Sequence, residues 1–286
     1  MPPVLGPGVV ACCRRAKLVP RNCSSTSGDV MTESALPPDL IAGAEPAFYE
    51  GGRAGALVLH GFTGNPGSMR GVAEALAEAG FTVDLPLLPG HGTKVDDMIP
   101  TGFADWLGHA EDRYQALAER CDQVVVVGLS MGGALTAWLG SEHPEIAGLV
   151  CINAVVSVPD GMREAVTEVL ASGADRFAGI GSDIADPDTV ESAYAETPLA
   201  PLLTMFDAAD NLGDRLGQIT SPMLIVTSTQ DHVVPPENSD LLAAQVSGPV
   251  ERLRCERSYH VVTMDYDKDL VIAATVDFAE KVTASA

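Results

Sequence analysis

Three residues far apart in this chain, Ser130, Asp231 and His260, have the types and the order required for acyl transfer through a covalent intermediate. A serine hydroxyl is a weak nucleophile at neutral pH. It needs a base, and the base needs an acid that fixes its tautomer and stabilises its charged form. Ser130 lies in Gly128-Leu129-Ser130-Met131-Gly132, between the β-branched run 124–127 and a helical pattern that begins at Met131. That context predicts a sharp strand-to-helix corner with the hydroxyl at its tip. The residues two before and two after the serine must lack bulk so that strand and helix can approach. Asp231 follows the strand-like run 223–227 and leads into the Pro235-Pro236 loop, and His260 directly follows the last strand expected, in Ser258-Tyr259-His260.

The other imidazoles and carboxylates fit less well. His232 adjoins Asp231, so the acid cannot easily reach across to orient it, and it reads as a loop residue. His60 and His91 precede the nucleophile and belong to other loops, while His109 and His143 fall on or beside surface helices. Asp207 and Asp210 lie in a helical stretch rather than at a strand end. Acyl transfer also needs donors for the developing oxyanion. The backbone N–H of Met131, after the nucleophile, supplies one. The second is expected from Phe62, in the glycine-rich loop His60-Gly61-Phe62-Thr63-Gly64-Asn65-Pro66-Gly67.

The elements that must position these groups alternate between strand and helix from residue 54 onward, which predicts an α/β protein with a mostly parallel central sheet flanked by helices. Strands are expected at 56–60, 81–85, 124–128, 146–156, 223–229 and 250–257, with helices at about 68–79, 103–120, from Met131 to before Pro144, and at about 270–282. The stretch 159–218 breaks this rhythm. It reads as helical and loopy, without a strand-like run, and Thr197-Pro198 opens one helix as N-cap and first-turn proline. Leu199, Leu202, Leu203 and Phe206 give that helix an apolar stripe. The expected organisation is a core over 31–158 and 219–286 and a small helical cap insertion over 159–218. Residues 1–30 form a disordered extension, with Met31 an alternative start.

Composition narrows the partners. With 46% hydrophobic residues, 286 residues can bury a large core. The formal net charge of −22, from 39 acidic and 17 basic residues, disfavours nucleic acid and anionic membrane surfaces. No apolar run is long enough for stable membrane insertion. The six cysteines form no Cys-x-x-Cys pair and no Cys/His metal spacing, and Cys121 and Cys151 read as small buried hydrophobes. The expectation is a reduced, cytoplasmic protein without metal or organic cofactor. Val9-Val10-Ala11-Cys12 has the form of a lipoprotein cleavage box, but Pro2, Pro3 and Pro7 interrupt a very short apolar stretch ahead of it. The sequence sets no oligomeric state.

Together, His60-Gly61-Phe62-Thr63-Gly64-Asn65-Pro66, Pro89-Gly90-His91-Gly92, Gly128-Leu129-Ser130-Met131-Gly132-Gly133, Gln230-Asp231 and His260-Val261-Val262-Thr263-Met264-Asp265 resemble the bacterial carboxylesterase and monoacylglycerol lipase branch of the α/β-hydrolases. The resemblance spans roughly residues 50–283. It implies the α/β-hydrolase fold, catalytic roles for Ser130, Asp231 and His260, and an oxyanion hole at Phe62 and Met131. It also implies hydrolysis of a small-molecule ester with a short to medium acyl chain, monoacylglycerols among the candidates, through an acyl-enzyme. Thioester hydrolysis, acyl transfer and peptide hydrolysis would use the same three residues. Tyr259 departs from the family, which often has glycine there. It could narrow the alcohol side of the site or simply face solvent.

Overall fold

The computed structural model describes residues 37–179 and 181–284, so the extension expected over 1–30 lies outside the described residues. The chain enters through β1 (Ala47–Tyr49) and β2 (Ala54–Leu59). A short 3-10 helix at Pro66–Met69 runs into α1 (Arg70–Glu78), which leads to β3 (Thr82–Leu85). Next come α2 (Val95–Met98), α3 (Phe103–Ala118), β4 (Gln123–Leu129), α4 (Met131–Glu142) and β5 (Gly148–Ile152). Between β5 and the next strand of the main sheet lie α5 (Met162–Ala171), β6 (Arg176–Ala178), β7 (Glu196–Pro198) and α6 (Leu199–Gly213). The chain then returns through β8 (Met223–Ser228), α7 (Glu237–Gln245), β9 (Val250–Cys255) and α8 (Lys268–Thr283).

Among the described residues, seven strands form one sheet in the order β1-β3-β2-β4-β5-β8-β9. Only β1 runs antiparallel, against β3; every other neighbouring pair is parallel. The central strands read as continuous apolar runs because both faces are covered. Alternate residues of β2 and β4 go to opposite sides. Leu57, Leu59, Val124 and Val126 pack with Trp106, Tyr114 and Leu117 of α3 and Leu135 and Leu139 of α4. Ala56, Val58, Val125 and Val127 pack with Val72 and Leu76 of α1 and Val271 and Phe278 of α8. The chain runs outward from β2 to β3 on one side and to β4 on the other. The loops after β2 and β4 therefore flank the point where strand order reverses, the usual place for a ligand in such sheets.

Several details differ from the sequence expectations. The stretch 159–218 contains strand: β6 and β7 form a two-stranded antiparallel ladder, Phe177 facing Thr197. Thr197 is therefore committed to that ladder and does not cap α6. The capping position falls on Pro198, with extended backbone (ψ 130°). The strand β5 ends at Ile152, short of the expected 156, because Asn153 takes a positive φ of 44° and turns the chain out of the sheet. The terminal strand β1 and the helix α7 were not expected at all.

Candidate active site

Ser130 occupies the corner between β4 and α4 with φ 57° and ψ −115°. A side chain holds such a conformation only when its surroundings impose it. Here they do: the Ser130 N–H donates to Ile152 O at 2.9 Å, and its carbonyl accepts from Ala134 N at 3.1 Å and Val155 N at 3.3 Å. The glycine spacing has a direct steric cause. A Cβ on Gly128 would overlap the Gly132 carbonyl, and a Cβ on Gly132 would overlap Leu59 O and lie 2.7 Å from His60 O. Those are main-chain atoms and cannot swing aside. Gly132→Ala is accordingly expected to cost about 3 kcal/mol, the upper range for overpacking, seen as a melting temperature lowered by roughly 6–12 °C. A thermal melt within 1 °C of wild type would contradict the packing described for this corner.

Asp231 and His260 meet. The His260 Nδ1 lies 2.7 Å from Asp231 Oδ2, with both side chains almost fully buried. The other oxygen of Asp231 accepts Val233 N and Val234 N, each at 2.8 Å. A carboxylate accepts and does not donate, so the ring proton sits on Nδ1 and Nε2 carries the lone pair. Ser130 and His260 line the same cleft. Asn153, which drew no attention in the sequence, holds the histidine from behind. Its amide donates to His260 O at 2.7 Å and to Ser228 Oγ at 3.0 Å, while its oxygen accepts Ser228 N at 2.8 Å. The positive φ at Asn153 points its buried side chain across the ends of β5 and β8, toward the histidine loop.

The loop after β2 is held by two buried histidines. His60 Nδ1 lies 2.9 Å from Gly61 O, and its Nε2 accepts Leu88 N at 3.1 Å. His91 Nδ1 lies 2.9 Å from Pro89 O, while its buried Nε2 has no partner among the described residues. Burial drives the His60 pKa well below the ordinary value and that of His91 to about 4. Both rings, expected merely to lie in loops, are neutral packing elements. The Phe62 ring packs edge-on against Trp106, with centroids 5.6 Å apart, and Phe62 also lines the cleft. Met131 is the first residue of α4, so its N–H is one that the helix leaves without an internal acceptor.

The cleft occupies about 1090 Å³, counted to its open mouth. Its apolar lining comes largely from the stretch between β5 and β8, through Met162, Phe177, Leu202, Met205 and Phe206. Leu202 and Phe206 belong at the same time to the hydrophobic core cluster beneath, so these two side chains both line the cleft and pack in the core. Leu203 packs on the core and does not line the cleft. The polar lining includes Thr63, Asp183 and Glu191, the last with its carboxyl pushed up by burial. The rival residues lie elsewhere. Asp207 and Asp210 both pair with Arg163 on the surface, and His143 bridges Glu111 and Glu145. Tyr259 rests edge-on against His232, centroids 4.4 Å apart, and is absent from the cleft lining. Among the described residues, no helix is long and apolar enough to cross a membrane.

A serine at a strand–helix corner of a parallel sheet, with an acid–histidine pair on later loops, defines the architecture as that of an α/β-hydrolase. The family model described as "Serine aminopeptidase, S33" matches residues 52–267, and the chain belongs to that family. It is 44% identical over 246 residues to the thermostable monoacylglycerol lipase of a Bacillus species, covering 85% of this chain and 96% of that one. It is 30% identical over 241 residues to a carboxylesterase of Bacillus subtilis, covering 83% and 96%. A solved structure from a study of metagenome-derived lipolytic enzymes superposes with a TM-score of 0.82 at 39% identity, over 85% of this chain and 99% of that one. The protein is a serine hydrolase.

Proposed function

We propose that this chain hydrolyses carboxylic esters of short to medium acyl chains, monoacylglycerols included, through an acyl-enzyme on Ser130. The observation that carries the reading is the 2.7 Å pairing of His260 Nδ1 with Asp231 beside the cleft that Ser130 lines. With its Nδ1 proton held by Asp231, His260 offers Nε2 to take the Ser130 proton as the hydroxyl oxygen attacks the ester carbonyl. The tetrahedral oxyanion is received by the N–H groups of Phe62 and Met131. His260 then protonates the leaving alcohol, the carbonyl re-forms as the acyl-enzyme, and water activated by the same imidazole releases the acid. The largely apolar lining from Met162, Phe177, Leu202, Met205 and Phe206 suits an acyl chain. We take residues 159–218 to act as a cap over this site. The unpaired thiols of Cys121, Cys151 and Cys255 suit a reducing compartment, and we place the protein in the cytoplasm.

The names of the relatives, a monoacylglycerol lipase, a carboxylesterase and a lipolytic enzyme against an aminopeptidase family label, set the test. Turnover is measured on p-nitrophenyl butyrate, octanoate and palmitate, on 1-monoacylglycerol, and on an amino-acid p-nitroanilide. Ester turnover that peaks below palmitate, with no anilide cleavage, is the expected result. Cleavage of the anilide alone would replace the esterase reading with a peptidase.

A further inference from the structure

The pairing of Asp231 with His260 joins two loops that are separate in sequence, one after β8 and one after β9. A third carboxylate ties those loops together. Asp183 lies in the stretch between β6 and β7, its side chain 11% exposed. Its Oδ2 accepts two main-chain N–H groups, that of His232 and that of His260, each at 3.1 Å. His232 directly follows Asp231, so a single oxygen grips the chain immediately beside the acid and at the histidine itself. Its Oδ1 lies 2.9 Å from His232 Nδ1, and its main-chain carbonyl accepts Val261 N at 3.1 Å.

The segment carrying Asp183 is itself fixed to the histidine loop. The buried carboxylate of Asp265 accepts Ala185 N at 2.7 Å and Asp186 N at 3.1 Å, and also Tyr259 N at 2.8 Å. His260 is thus gripped at its N–H by Asp183, at its carbonyl by Asn153 and at its ring by Asp231. From this geometry we infer that Asp183 is a positioning residue for the catalytic pair: it sets the separation of Asp231 and His260 by bridging their two loops, and so makes the inserted stretch part of the hydrolytic machinery. The inference rests on the triad reading given above. It does not require the Asp183 carboxylate to touch the substrate.

Holding a catalytic group to within a fraction of an ångström is worth up to about 100-fold in rate, and loss of an orienting partner about 10–100-fold. Asp183→Ala is therefore expected to lower kcat by about 10–100-fold with KM changed less than about threefold. Asp183→Asn keeps an oxygen able to accept both N–H groups and is expected to recover most of that loss. A direct readout is the downfield proton resonance of His260 Nδ1–H in the short bond to Asp231. It should shift upfield or broaden in Asp183→Ala and return in Asp183→Asn, all measured well below each variant's melting temperature. If Asp183→Ala does not fold, Asp183→Ser takes its place, since its hydroxyl is too short to bridge both loops. His260→Ala separates the two levels of the argument. Substantial turnover in His260→Ala would sink the triad reading. An inactive His260→Ala beside a folded Asp183 variant with wild-type kcat and an unmoved resonance would sink the role of Asp183 alone.

Discussion

Ser130→Ala is expected to lose ester turnover by about five to six orders of magnitude while melting at or slightly above the wild-type temperature. In the mechanism proposed above the hydroxyl supplies the bond-forming oxygen, and nothing else at the corner can replace it. The substitution leaves Gly128, Gly132 and the main-chain bonds of the corner untouched. Asp231→Asn should be less severe, about 10⁴-fold, and the structure gives a specific reason. One oxygen of Asp231 already serves Val233 N and Val234 N, so an asparagine must keep its carbonyl there. Its amide NH2 then faces His260 Nδ1 and can only donate to it. The ring proton is forced onto Nε2, the atom that should receive the proton of Ser130. Fluorophosphonate labelling should therefore be abolished in Ser130→Ala and only slowed in Asp231→Asn. If Asp231→Asn turned over esters within tenfold of wild type, the acid would have to be sought among the other cleft carboxylates, Asp183 and Glu191, because Asp207 and Asp210 are committed to Arg163.

The parts of this site that were legible in the sequence are those with a local physical cause. The Gly-x-Ser-x-Gly spacing is a five-residue pattern in which a Cβ on Gly128 would meet the Gly132 carbonyl, although the atoms that exclude one from Gly132 belong to Leu59 and His60 at the end of β2. The strands before Ser130 and Asp231 are short apolar runs bounded by turns, and β9 before His260 is a short run in which Val250, Leu253 and Cys255 are separated by charged residues. The parts that were not legible act across the fold. Asn153 sits in an apolar run, 146–156, that reads as one long strand. Only its contacts with Ser228 and His260, 75 and 107 residues away, explain why the strand stops there. Asp183 and Asp265 are single acids in a chain with 39 of them, and nothing local marks them as acceptors for main-chain donors of another loop. The three-residue strands β6 and β7 are too short to show alternation. The helix α7 opens with Glu237-Asn238-Ser239-Asp240, a polar run without an apolar stripe, although Asn238 is buried and receives Val156 N and Ser157 N at 2.8 Å. His60 and His91 were assigned to loops correctly, yet their burial depends on Trp106 and Leu88, which the fold brings over them.

That burial sets the response of the protein to acid. In the folded state His91 titrates at about 4, and unfolded it returns to the ordinary 6.5. The unfolded chain therefore binds a proton that the folded chain refuses between these values, and stability falls as pH drops through the window. For His91 alone the loss reaches about 3 kcal/mol by pH 4, at about 1.4 kcal/mol per pH unit. His60 acts in the same sense, since protonating its Nε2 would break the bond from Leu88 N as well as place a charge in the core. Other groups oppose the trend. Burial raises the carboxyls of Asp84 and Glu191, so the folded state takes up their protons first. At His143, burial lowers the pKa but Glu111 and Glu145 more than offset it, so that ring favours the folded state in acid. A comparison with His91→Gln removes these shared contributions. Urea unfolding at pH 7, 6, 5 and 4 should show wild-type stability falling about 3 kcal/mol further than that of the variant across the range. Because slopes are compared, any constant loss from repacking at residue 91 cancels. Parallel slopes would mean that His91 charges freely in the folded protein, and that the loop carrying Phe62 is not sealed from water as its packing against His91 and Trp106 requires.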